Sequence, residues 1–202
     1  MEKIYKYPRT RHIEGSRLQK GDEDLKSVKF DYIKGKYVVL EEKVDGANSG
    51  ISFDENGNLL LQSRGHFLNG SYGEKQFSLF KMWANSFKSQ LYELLKDRYI
   101  MYGEWLYAKH TVFYDNLTHY FMEFDIYDKK ENKFLSTKKR RELLKEYDFI
   151  TSVLVLYEGK IKSIKEITSL LKKSNFKSDK YKETLKKQCE EYGLNYELVE
   201  KQ

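Results

Sequence analysis

Apolar residues follow one period in some stretches of this chain and a different one in others. Tyr37-Val38-Val39-Leu40-Glu41-Glu42 is rich in β-formers and predicts a strand. Ser49 to Phe53 alternates small polar and apolar residues, Asp54-Glu55-Asn56-Gly57-Asn58 has turn chemistry, and Leu59-Leu60-Leu61-Gln62-Ser63 returns, so a hairpin is expected. From Glu74 to Lys96 the period lengthens. Phe77, Phe80, Trp83, Ala84, Phe87, Leu91, Leu94 and Leu95 recur at three- and four-residue steps, which marks one face of a helix whose aromatics belong to a core. Tyr99 to Tyr102 and Tyr120 to Tyr127 read as strands, Thr137 to Tyr147 as a short charged helix, and Ser152 to Tyr157 as another strand. Ser163-Ile164-Lys165-Glu166 has capping-box spacing and opens a helix reaching about Lys172; Asp179 to Tyr192 is a last, lysine-rich helix.

Strands joined by tight turns outnumber long helices, so the expected fold class is α+β with mostly antiparallel sheets flanked by helices. No repeat or low-complexity tract interrupts the pattern. The expectation is a single domain over residues 1–202, with residues 1–35 as a polar, basic arm and 160–202 as a helical segment.

Composition adds three points. With 40% hydrophobic residues, 17 Tyr and 12 Phe, the chain can bury a core, which argues against global disorder. The net charge of +6 favours a polyanionic partner only mildly. A lone cysteine, Cys189, allows no internal disulfide, and no signal peptide or run of 18 apolar residues is visible, so a cytoplasmic protein without membrane contact is expected.

The candidate chemistry lies in short polar motifs at strand ends. Lys43-Val44-Asp45-Gly46 follows the first strand, and Arg64 follows the returning strand of the hairpin. Glu104 stands in Tyr102-Gly103-Glu104, and Phe124 in Phe121-Met122-Glu123-Phe124-Asp125-Ile126-Tyr127, a strand with aromatics at alternate-face positions. Each has a bland reading alone: a surface lysine before a turn, a solvated arginine, a turn cap, a core aromatic. In this order and spacing they resemble the covalent nucleotidyltransferases, the superfamily of ATP-dependent DNA ligases, RNA ligases and mRNA capping enzymes. Lys43-Val44-Asp45-Gly46 matches the first motif, Lys-x-Asp-Gly; Arg64, Tyr102-Gly103-Glu104 and Phe124-Asp125-Ile126 look like those that follow. Lys6 to Arg17 and Glu41 to Gly50 are similar to signatures of phage and bacterial RNA-repair ligases, and the resemblance covers essentially the whole chain.

That resemblance implies a ligase adenylation domain using ATP and Mg²⁺. Lys43 would be the nucleophile that carries AMP, then passes it to a 5′-phosphate of RNA that is sealed to a 3′-hydroxyl. Glu42 would lie beside the adenine and Phe124 would stack on it. Arg64 would hold the ribose or a terminal phosphate. Glu104 would contact the ribose hydroxyls or a metal, and Asp45 would orient the lysine loop. Arg9, Arg11, His12 and Arg17 are candidates for RNA backbone contacts. A lysine of ordinary pKa near 10.4 has about one molecule in 2,500 unprotonated at pH 7, a handicap of roughly 4.6 kcal/mol. The nucleophile therefore calls for desolvation, nearby positive charge or a bound metal. DNA ligase, and a nucleic-acid-end binding module with weakened catalysis, are the alternatives.

One departure qualifies the resemblance. Glu158-Gly159-Lys160 has the letters of the fourth motif but follows the Phe124 strand too closely, and no Lys-x-Lys strand follows before Gln202. The expectation is a chain that lacks the lysines gripping the α-phosphate and adenylylates itself weakly or not at all, with a second chain or a C-terminal segment as the candidate carrier of the missing motifs.

Overall fold

The computed structural model describes residues 3–16 and 26–201. The expected α+β class holds: short helices accompany sheets in which all strand pairs but one are antiparallel. The described residues fall into two compact units, and each is treated by itself.

The larger unit holds residues 3–6, 43–153 and 174–201. It also contains the expected hairpin. Strand β2 (Ala47–Phe53) pairs with β3 (Leu59–Ser63), and the Asp54 carboxylate accepts from the Asn56 and Asn58 N–H groups to close the turn. β2 pairs on its other side with β4 (Tyr99–Trp105), and β4 pairs with β5 (Phe121–Asp128). β6 (Lys133–Phe134) and the two-residue β7 (Thr151–Ser152) complete a six-stranded sheet by flanking β5. The expected strand from Ser152 to Tyr157 is thus two pieces; its second part belongs to the other unit.

The helical period over 74–96 is real but broken. A 3₁₀ turn at Lys75–Phe77 leads into α1 (Ser78–Ser86), and α2 (Lys88–Leu95) follows after Phe87. Phe87 leaves helical geometry at φ −105°, ψ 16°, and its ring stacks on Phe149 at 4.3 Å between centroids. Phe77, Phe80, Ala84, Leu91, Leu94 and Leu95 pack against Ile51, Phe53, Met101, Trp105 and Phe121, so the expected core face is buried on one side of the sheet. A smaller cluster of Val44, Leu106, Met122, Val153 and Phe176 covers other residues, with Tyr114, Leu117 and Phe124 at its edge. Helix α3 (Thr137–Leu144) is capped by Ser136, and α5 (Tyr181–Glu191) and α6 (Tyr196–Lys201) follow after residue 174.

Glu74 ties down the loop before α1. Its buried carboxylate accepts from the Gly70 and Ser71 N–H groups and the Ser71 hydroxyl, and pairs with Lys81. Lys81 first, then Ser71, pull its pKa from 4.5 down to about 2. A depressed carboxyl stabilises the fold fully above its unfolded pKa and loses that contribution as pH falls through the folded value. Thermal unfolding should therefore separate the native protein from Glu74→Gln at pH 6, and the gap should close between pH 4.5 and about 2. A gap independent of pH would refute this.

The smaller unit holds residues 7–16, 26–42 and 154–173. Strand β1 (Tyr37–Glu41) pairs antiparallel with β8 (Val155–Lys160), and the Glu42 N–H donates to the Leu154 carbonyl. Glu158, Gly159 and Lys160 are therefore strand residues facing Val39, Val38 and Tyr37. The basic arm is not wholly irregular. Ile13 bridges to Val28, and the Glu14 carboxylate accepts from the Phe30 N–H at the 3₁₀ turn Phe30–Tyr32. Ser163 opens α4 (Ile164–Thr168), which is shorter than expected, with Ser163 Oγ donating to Glu166 at 3.1 Å. The 160–202 segment thus divides, α4 lying in this unit and α5 and α6 in the larger one.

Candidate active site

The polar motifs of the larger unit meet at the ends of β2, β3 and β4. Residues 43–46 form the irregular entry to β2, and Asn48, two residues on, lies directly opposite Glu104 across the β2–β4 ladder. The Gly46 N–H donates to Glu104 Oε1 at 2.9 Å, which fastens the Lys43 loop to β4. A Cβ at Gly46 would stand 2.5 Å from the Trp105 carbonyl oxygen, so only glycine lets the loop lie this close.

Glu104 is the electrostatic centre. Burial raises its pKa, as does Asp45, while the Gly46 hydrogen bond and the charges of Lys43 and Arg64 offset part of that rise. Lys43, Asp45 and Arg64 are therefore all within electrostatic reach of one half-buried carboxyl. Arg64 is exposed just past the end of β3.

Asp45 points away from a purely catalytic role. Its carboxylate accepts from the Thr111 and Val112 N–H groups at 2.8 and 3.1 Å, and its own N–H donates to the Tyr114 hydroxyl at 2.8 Å. Burial alone would raise its pKa, but the Thr111 and Val112 hydrogen bonds and Lys43 outweigh it and hold the carboxyl low. Asp45 thus stays ionised and ties the loop of Lys43 to the segment after β4.

Lys43 itself is exposed. The desolvation expected at the end of its strand is not supplied by the protein's own packing; a bound nucleotide would have to cover it. Phe124 is half-buried at the rim of the smaller cluster, which also contains Val44, the neighbour of Lys43. Glu42 belongs to the smaller unit, as do Arg9 and Arg11, both exposed, and His12, whose carbonyl accepts from the Val28 N–H. Arg17 lies outside the described residues.

Several residues here had no role in the sequence reading. Tyr114, Thr111 and Val112 hold Asp45 from a loop with no periodic signal. Asn48 follows the first motif by two residues, and its buried Oδ1 has no hydrogen-bond partner, beside Glu104 on the neighbouring strand. Such an orphaned acceptor is costly unless a ligand satisfies it. Among the described residues no three His, Cys, Asp or Glu side chains converge as a metal cage. Asn48 Oδ1 and the second oxygen of Glu104 make a sparse oxygen donor set, which suits a cation such as Mg²⁺ that keeps most of its waters.

Comparison with known proteins bears on the family and the fold. The family model described as RNA ligase matches residues 36–193. An archaeal ATP-dependent RNA ligase is 20% identical with a TM-score of 0.54, over 77% of this chain and 38% of its own. A Naegleria gruberi RNA ligase with PPi is 17% identical with a TM-score of 0.50, over 67% of this chain and 41% of its own. The chain therefore spans about two fifths of the length of these solved ligases, and at such identities the likeness is one of fold. No curated protein sequence matches. With the family model covering most of the chain, and both solved ligases sharing its fold, the chain belongs to the RNA ligase family.

Proposed function

We propose that this chain is the adenylyltransferase part of an ATP-dependent RNA ligase, with Lys43 as the residue that accepts AMP. The observation that carries this reading is the convergence of Lys43, Asp45 and Arg64 on Glu104, with the lysine loop hydrogen-bonded to the same carboxylate.

The neutral Nζ of Lys43 attacks the α-phosphorus of ATP in line with the bridging oxygen. An N–P bond forms, the P–O bond to the β-phosphate breaks, pyrophosphate leaves, and the nitrogen gives up a proton to water. The AMP then passes to the 5′-phosphate of RNA, which frees Lys43, and a 3′-hydroxyl displaces AMP to seal the strand. Positioning and charge neutralisation supply most of the catalysis in such transfers. Gly46 and Asp45 fix the direction of the lysine loop. Glu104 offers its unoccupied oxygen to the ribose hydroxyls or to the cation, and Arg64 meets the ribose or the incoming phosphate. Phe124 stacks on the adenine. A divalent cation, when bound, neutralises phosphate charge and aligns the leaving group. Arg9, Arg11, His12 and Arg17 would contact the RNA backbone.

The test is incubation with Mg²⁺ and α-labelled ATP, followed by digestion and peptide mapping. Label on the peptide containing Lys43, with little from GTP, is the expected result; label elsewhere, or none from any nucleotide, would overturn the reading. Competition between nicked RNA and nicked DNA then tests the substrate. A marked preference for all-DNA nicks would make the protein a DNA ligase.

A further inference from the structure

Strict alternation does not hold along β5. Phe121 packs into the larger core, Met122 and Phe124 into the smaller cluster, and Ile126 again into the larger one, although alternation would put Ile126 with Met122 and Phe124. The cause is in the register with β4. Tyr102 faces Asp125, and the next residue, Gly103, faces Glu123, so Phe124 is the extra residue of a β-bulge. Bulges of this kind re-aim a side chain and free a backbone group from the ladder.

The carbonyl of Phe124 accepts from the guanidinium of Arg140, a residue of α3 that is 5% exposed. Arg140 Nε also pairs with Glu123 Oε1 at 3.1 Å, and Glu123 is fully buried. Ser152 Oγ donates to the other Glu123 oxygen at 2.6 Å, and the Val153 N–H donates to the Glu123 carbonyl at 2.8 Å. One guanidinium thus grips the backbone of Phe124 and the side chain before it, while the strand beside them holds the pair in place. Gly103 completes the bulge from the other side, since a Cβ there would meet the Phe121 ring at 2.5 Å.

We infer that Arg140, through the bulge it holds with Glu123, is a positioning residue that sets the Phe124 ring for the nucleobase of the donor nucleotide. A buried ion pair is an expensive way to add stability, because an apolar pair of like volume often serves as well. Its value here lies in the direction it gives to one aromatic ring. The inference rests on the ligase reading, in which Phe124 stacks on the base.

The experiment measures lysyl-AMP formation against concentration for ATP and for ribose 5-triphosphate, a donor with no base. It uses the native protein, Phe124→Ala, Arg140→Lys, Phe124→Ala with Arg140→Lys, and the apolar pair Arg140→Met with Glu123→Met. Stacking of one base on an aromatic ring is worth enough that its partial loss should raise the half-saturating ATP concentration about tenfold in Arg140→Lys. The maximal rate should stay within about twofold, the base-less donor should be unaffected, and adding Arg140→Lys to Phe124→Ala should change nothing further. The apolar pair is expected to fold and to show the same base-specific loss, which keeps the test open if Arg140→Lys unfolds. An equal loss for both donors, or additive effects with Phe124→Ala, would overturn the inference. Absence of label in the native protein would instead overturn the ligase reading.

Discussion

Replacing Lys43 by alanine should reduce AMP transfer to the protein by at least about 10⁴-fold, because the N–P bond has no other nitrogen to form on. Nucleotide binding should change far less. Glu104, Phe124 and Arg64 do not depend on the Lys43 side chain for their positions: Glu104 is held in the β4 ladder and through the Gly46 N–H, and Phe124 by its bulge. Filter binding of labelled ATP alongside covalent labelling separates the two effects. If Lys43→Ala keeps even one hundredth of the label, another residue is the acceptor. Lys43→Arg should be as inactive as alanine, since guanidinium stays protonated and cannot attack.

Gly46→Ala should cost about 10²-fold in the rate of labelling while leaving the fold intact. The new Cβ would lie 2.5 Å from the Trp105 carbonyl oxygen and 2.8 Å from a methyl of Leu106. Leu106 can turn aside, but Trp105 cannot: its ring is buried in the core and its indole N–H donates to the Gln76 carbonyl at 2.6 Å. The loop must move instead, and the Gly46 hydrogen bond to Glu104 is lost with it. A displacement near 1 Å at a reacting group typically costs about that factor. The check is a single-turnover rate at saturating ATP together with a thermal melt. An unchanged rate would show that the loop's closeness to β4 has no bearing on chemistry. A collapse of the melting transition would place the effect in folding.

Much of the site was legible because its chemistry sits in short contiguous motifs. Lys43, Asp45 and Gly46 are neighbours in sequence, and Arg64 and Glu104 follow predicted strands that do form. The hairpin of β2 and β3 was legible for the same reason: its turn residues lie between its strands. What escaped was what distant residues decide. β1 was readable as a strand, but nothing local shows that its partner is β8, more than a hundred residues away. The break at Phe87 follows from where Phe149 lies, and the helical period runs straight through it. Phe124 could be read as an aromatic on a strand, yet its direction depends on a register shift against β4 and on an arginine from α3. The exposure of Lys43 was not legible either, since the chemistry called for desolvation, nearby positive charge or a metal without saying which.

The grip of Asp45 on Thr111 and Val112 has a consequence for watching this site move. Those two amides are held by a carboxylate 66 and 67 residues earlier in the chain, outside any helix or strand ladder. Their hydrogen exchange therefore times the opening of the nucleophile's own loop, while amides of the β4–β5 ladder time the unfolding of the sheet. Slower exchange at Thr111 and Val112 once ATP is added, with the ladder unchanged, would make those amides a clock for the loop that carries Lys43.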